Sequence, residues 1–187
     1  MLSGFLQSAP TMADAQRQRL VAMAGGRPRI GLSWRSANVD FGPQKSLQLA
    51  DFAPVFAAVD AFWIDLQYGE TAAERAALEA GQGVSLWRDP AIDPLQDMDG
   101  AAAQYAALDM VITVSNTVAH LAGALGLPVW LLLPAPGYGL LWYWFLDRTD
   151  SPFYPTLRCF RQRHPRDWGA PLNEVAAALR AQFGAKP

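Results

Sequence analysis

The run Val114-Ser115-Asn116-Thr117-Val118-Ala119-His120 sets small hydroxyl and amide side chains where an apolar stretch gives way to helical spacing. Residues of these types cap helix starts, and the outward backbone amides and positive dipole end suit an anion such as a phosphate. An ordinary helix cap would use the same residues with no ligand at all. His120 helps to separate the two readings. At about 100° per residue, Val118, Leu121, Ala122 and Leu125 form the apolar stripe, and His120 falls on the other side beside Asn116 and Gly123. An imidazole there can donate to a phosphate oxygen or a sugar hydroxyl, and Gly123 is expected to leave room for close approach. Lys45, a lone cation in a polar stretch, is the second candidate, able to neutralise phosphate as a point charge, although most surface lysines do nothing of the kind.

The elements that must position these residues follow from alternating apolar runs and helical patterns beyond Arg29, the signature of βα units and a parallel sheet covered on both faces. Six strands are expected, at 29–34, 62–67, 84–87, 110–114, 129–133 and 157–162. Thr71-Ala72-Ala73-Glu74 reads as a capping box at a helix start. The last helix buries Leu172, Val175, Ala176, Leu179 and Phe183 and leaves Glu174 and Arg180 to solvent. Residues 1–28 read as a linker or packing helix, helical around Ala13 to Met23 and ended by Gly25-Gly26-Arg27-Pro28. Residues 29–187 form the α/β domain.

Open parallel sheets bind ligands beyond the carboxyl ends of the strands, where strand order reverses. In a 3-2-1-4-5-6 order the first and fourth strands flank that point. Their loops carry Ser33, Arg35, Ser36, Asn38 and Lys45, and then Ser115, Asn116 and Thr117. The second loop adds Gln67 and Tyr68, and the fifth runs from Pro134 through Tyr138 to Gly139. No G-x-G-x-x-G follows the first strand, where Gly31-Leu32-Ser33-Trp34-Arg35-Ser36 stands, and no G-x-x-x-x-G-K-[ST] occurs. Ordinary dehydrogenase and ATPase readings lose their main support.

The 187 residues suffice for one sizeable core, and a net charge of −2 offers no global attraction to nucleic acid. The single cysteine, Cys159, reads as a buried structural thiol with no metal-binding spacing around it, and His164 as a solvated surface residue in a basic run. The apolar runs are too short for a membrane span, so a cytoplasmic protein is expected.

The segments Ile30-Gly31-Leu32-Ser33-Trp34-Arg35, Lys45-Ser46-Leu47-Gln48-Leu49, Leu66-Gln67-Tyr68-Gly69, Leu108 to Gly126 and Asp150-Ser151-Pro152-Phe153-Tyr154-Pro155 together resemble one family. It is the carboxyl-terminal region of bacterial tetratricopeptide-repeat proteins with a glycosyltransferase domain, akin to the family 9 heptosyltransferases and more distantly to O-linked N-acetylglucosamine transferases. The resemblance implies the donor-binding half of a GT-B fold, Rossmann-like, with a nucleotide diphosphate sugar as substrate and no cofactor or metal. Lys45, Ser115, Asn116, Thr117 and His120 would hold the diphosphate, and Gln67 and Tyr68 would lie near the nucleoside. Ser33, Arg35, Asn38 and Tyr138 complete the set expected on the nucleoside side or in the cleft.

This chain departs from that pattern in two places. Heptosyltransferases usually carry an acidic residue, a threonine and a glycine where Ser115, Asn116 and Thr117 stand, and many relatives have an arginine between two tryptophans where Trp142-Tyr143-Trp144 occurs. The resemblance also implies an acceptor-binding half that is not expected within these residues. No catalytic residue is assigned, since the group that activates an acceptor hydroxyl commonly comes from the other half. The competing reading is a non-catalytic interaction module, whose exposed cleft face, around Phe41, Tyr138, Leu141 and Trp142, would bind an acceptor domain or a second copy. A different Rossmann-like enzyme using the same loops is a third.

Overall fold

A computed structural model describes residues 4–137 and 141–186. The chain opens with α1 (Pro10–Ala24), which ends where Gly25 takes a left-handed conformation at φ 60°. There follow β1 (Arg29–Ser33), the short α2 (Gly42–Lys45) and α3 (Ala53–Phe56), then β2 (Phe62–Asp65), α4 (Ala72–Gln82) and β3 (Leu86–Trp87). The second half runs α5 (Met98–Ala106), β4 (Met110–Val114), α6 (Thr117–Ala124), β5 (Val129–Leu133), β6 (Leu157–Arg161) and α7 (Gly169–Phe183).

All six strands are parallel and lie in the order β3-β2-β1-β4-β5-β6. The order reverses between β1 and β4, where Gly31 pairs with Ile64 on one side and Val111 on the other. A side chain at Gly31 would overlap Leu66 and Leu108, so only hydrogen fits at this central crossing.

Both faces of the sheet are covered. Ile30, Leu32, Met110, Ile112 and Leu132 pack with Val55 and Phe56 of α3 and with Leu172, Val175 and Leu179 of α7. The opposite layer joins Ile64, Val111, Val129 and Leu131 to Leu20 of α1, Tyr105 of α5 and Ala119 and Ala122 of α6. Strand alternation produces this division, since neighbouring residues such as Val111 and Ile112 point to opposite faces. Residues 10–24 thus contribute to the core through α1, which packs on α5. Cys159 is buried in the same layer, and burial lifts its thiol to about 11.

The capping box expected at Thr71 and Glu74 does not form. The Thr71 hydroxyl donates to Asp65 at 2.5 Å, and Glu74 accepts from Trp34 Nε1 and Arg35 Nη1 at 3.1 and 2.7 Å. A buried carboxylate and a nearby guanidinium compete better for these side chains than the helix's own amides. Four strands are also one or two residues shorter than expected: β1 ends at Ser33, β2 at Asp65 and β6 at Arg161, and β3 keeps only Leu86 and Trp87. Each shortfall other than that of β3 falls at the carboxyl end, where the chain leaves the ladder to build the loops of the site.

Candidate functional site

Asn116 organises the switch point. As the N-cap of α6 its Oδ1 accepts from the Val118 amide at 3.0 Å and from the Thr113 hydroxyl at 3.1 Å. Its Nδ2 donates to Ser33 Oγ at 2.8 Å and to the Arg35 carbonyl at 3.0 Å. Two donors and two acceptor lone pairs are all used, which is the full capacity of an amide side chain. Asn116 therefore joins the loop after β1 to the loop after β4.

Gln67 completes the brace from the other side. Its Oε1 accepts from Ser33 Oγ, Trp34 N and Arg35 N at 3.0, 3.0 and 2.9 Å. Ser33 and Gln67 are both fully buried. They hold the loop and present no free polar atom beyond it. Tyr68 supports the same loop, its hydroxyl accepting from the Ala37 amide at 2.6 Å. Asn38 shapes the exposed tip, where its Oδ1 accepts from the amides of Asp40 and Phe41 at 3.1 and 2.8 Å. Arg35 turns toward α4, donating to Glu74 at 2.7 Å and to the Glu70 carbonyl at 2.6 Å. Tyr138 lies outside the described residues.

Lys45 differs from the expectation of a cation in an open polar loop. It ends α2 and is only 4% exposed, yet its ammonium makes no hydrogen bond or ion pair among the described residues. Burial depresses its pKa. The Nζ atom is not among the fully buried unpartnered atoms, so it keeps a contact with solvent through which an anion can reach it.

His120 lies within electrostatic range of Lys45. Its imidazole stacks on Trp144 with centroids 5.1 Å apart and meets Tyr143 and Tyr154 edge-on. Nδ1 is 2.9 Å from the Tyr154 hydroxyl, and Nε2 has no hydrogen-bond partner among the described residues. Burial first, and the Lys45 charge second, hold its pKa below the ordinary imidazole value, so the ring is neutral at neutral pH. Ser115 is buried, and its Oγ accepts from Trp144 Nε1 at 2.8 Å, whereas Thr117 is exposed at the start of α6. The space expected beside Gly123 is filled by the Tyr154 ring.

Two concave regions adjoin these loops. One, of about 410 Å³, is lined by Arg35, Ser36, Asn38, Ser46, Gln48 and Glu74. The other, of about 690 Å³, is apolar and lined by Gly137, Trp142, Phe145, Leu146 and Asp147. Trp142 is 78% exposed, and Leu146 and Phe153 also face solvent. The run Trp142-Tyr143-Trp144 is therefore split between the surface and the core, where Trp144 is buried. Among the described residues no cluster of three or more His, Cys, Asp or Glu could hold a metal ion, and no helix is long and apolar enough to cross a membrane.

Similarity to solved structures agrees with the fold. ADP-heptose LPS heptosyltransferase II of E. coli superposes with a TM-score of 0.61 at 17% identity, over 95% of this chain and 53% of that one. The glycosyl transferase family 9 protein of Veillonella parvula gives 0.58 at 13% identity, over 86% of this chain and 43% of its own. The chain shares their fold. A curated relative, Protein FlbA of Caulobacter vibrioides, is 32% identical over 181 residues, which are 95% of this chain and 29% of FlbA. The chain thus spans under a third of that relative and about half of the two transferase structures. No family model matches.

The residues brought to the switch point are Lys45, Ser115, Asn116, Thr117 and His120, with Ser33 and Gln67 beneath them. Arg35 is drawn away to α4. Tyr154 stood in a segment quoted for the family likeness and Trp144 in the run where the chain departs from it, and neither was given a role at the site, since their meeting with His120 is a matter of packing that spacing does not encode. The buried Asp65, which accepts from the Gln67 amide and lies 3.3 Å from Arg75 and 3.5 Å from Arg88, went unnoticed because its partners are scattered along the chain.

Proposed function

We propose that this chain is a glycosyltransferase-type domain that binds a nucleotide diphosphate sugar at the β1/β4 switch point. The observation that carries the reading is Lys45, a mostly buried side chain whose ammonium has no partner among the described residues and lies within electrostatic range of His120, which stands on α6. A diphosphate would supply a counter-charge and accept from Lys45, from imidazole Nε2 and from those first amides of α6 that the Asn116 cap leaves free. The same groups would favour departure of the diphosphate when the anomeric bond breaks, because they stabilise charge that develops on the leaving oxygen. The acceptor and the base that activates it belong to a second half of the kind the two transferase structures have room for, since this chain covers about half of each. No cofactor or metal enters this reading.

Calorimetric titration with a panel of nucleoside diphosphates and their sugars tests it. One nucleotide should bind saturably, and Lys45→Ala and His120→Ala should each weaken that binding at least tenfold. Absence of binding by every member at millimolar concentration would count against a donor site.

A second reading rests on the exposed aromatic face. Trp142, Phe145, Leu146 and Phe153 form an apolar surface beside the site, of the type that a partner domain or a second copy covers. Sedimentation at several concentrations separates the readings: an interaction module should associate through this face and lose association on Trp142→Ser, with Lys45→Ala having no effect.

A further inference from the structure

Tyr154 stands where three constraints meet. The turn before it is fixed by Ser151, whose Oγ accepts from the amides of Phe153 and Tyr154 at 3.2 and 3.3 Å. Its ring lies against Gly123, where a β-carbon would come within 2.7 Å of the Tyr154 ring. Phe5, itself largely exposed, stacks on the ring at 6.0 Å. Held in this way, its hydroxyl reaches His120 Nδ1 at 2.9 Å and has no other partner among the described residues.

The direction of that hydrogen bond fixes the imidazole tautomer. A phenol is a stronger donor than a neutral imidazole N–H, and no other acceptor among the described residues reaches the Tyr154 hydroxyl. Its proton therefore lies on the bond to Nδ1, which leaves the imidazole proton on Nε2. Nε2 is the nitrogen without a partner among the described residues, and the ring lies within electrostatic range of Lys45, whose ammonium also lacks one. Both groups are then available as donors to one anion. With the opposite tautomer an Nε2 lone pair would face the bound anion and repel it.

Resting on the donor-site reading above, we propose that Tyr154 is a positioning residue that fixes His120 as a neutral Nε2–H donor to the diphosphate. Tyr154→Phe removes only the hydroxyl and preserves the ring that fills the space over Gly123. His120→Gln supplies an amide N–H near the Nε2 position that needs no tautomer control.

The test combines two measurements on the full chain. Nitrogen-15 NMR of the imidazole without ligand should show the proton on Nε2 in the parent chain and a mixed or inverted tautomer in Tyr154→Phe. Nucleoside diphosphate affinity should fall about tenfold in Tyr154→Phe, and should not fall further when the same change is made in His120→Gln. A proton on Nδ1 in the parent chain would overturn the proposal, as would an unchanged tautomer in Tyr154→Phe or equal losses in the two backgrounds. If the tautomer behaves as expected but no nucleotide binds the parent chain, then the donor-site reading fails and the assignment of a diphosphate-facing role falls with it, while the hydroxyl's control of the ring stands.

Discussion

The Tyr154 ring occupies the space that a β-carbon on Gly123 would need, 2.7 Å from its Cγ. Gly123→Ala must therefore push Tyr154 off α6 or tilt the helix. The cost is that of overpacking a filled interior, about 1–3 kcal/mol, and the displaced hydroxyl leaves His120. Thermal unfolding should record the first effect and imidazole NMR the second.

Lys45→Met separates stability from binding. The substitution keeps length and apolar stem while removing a charge, carried by a mostly buried side chain, that has no partner among the described residues. Unfolding temperature should hold steady or rise by about 2–4 °C, equivalent to roughly 1 kcal/mol in a chain of this size. Nucleotide binding should be lost. A fall in unfolding temperature would mean that Lys45 serves the fold instead.

Asn116 distinguishes capping from bridging. Asn116→Asp retains an acceptor for the Val118 amide but can no longer donate to Ser33 and the Arg35 carbonyl. Asn116→Ala loses both functions. Denaturant unfolding should rank the parent above Asp and Asp above Ala, with Ala costing about 2–4 kcal/mol from one lost cap and two abandoned buried partners.

The depressed pKa of His120 makes stability depend on pH in a definite direction. An unfolded chain takes up a proton near the ordinary imidazole value of about 6.5, while the folded ring resists until the pH is lower. The folded state thus loses stability as pH falls from that value toward the depressed one, and gains none above it. Unfolding temperatures at a series of pH values should show this decline in the parent chain and a flatter profile in His120→Gln.

The sheet was readable because each strand is a short apolar run bounded by polar or turn residues, and burial on both faces leaves such runs few alternatives. The βα alternation pointed to a parallel doubly wound sheet, and the polar residues gathered after β1 and β4 fit the order 3-2-1-4-5-6 that the sheet adopts. The site was readable as a place and less so as a set of contacts. Asn116 was placed through its capping position, which is local chemistry. The burial of Lys45, the turn of Arg35 toward Glu74 and the meeting of Tyr154 with His120 depend on residues about 30 to 100 positions away, or on packing that periodicity does not encode. Thr71 and Glu74 failed as a capping box for the same reason, since each found a stronger partner from another strand or loop.

The amide of Asn116 has wider consequences for divergence. The groups nearest the proposed ligand also stitch the β3-β2-β1 half of the sheet to the β4-β5-β6 half, through Ser33 and the Arg35 carbonyl. A lineage could hardly alter this seam without unpicking its own architecture. Changes of substrate should instead accumulate in the exposed tip around Asn38 and Val39 and along the rim carrying Trp142 and Leu146, where side chains are free to vary. Descendants of one ancestor would then differ in what they carry and agree in how they grip it.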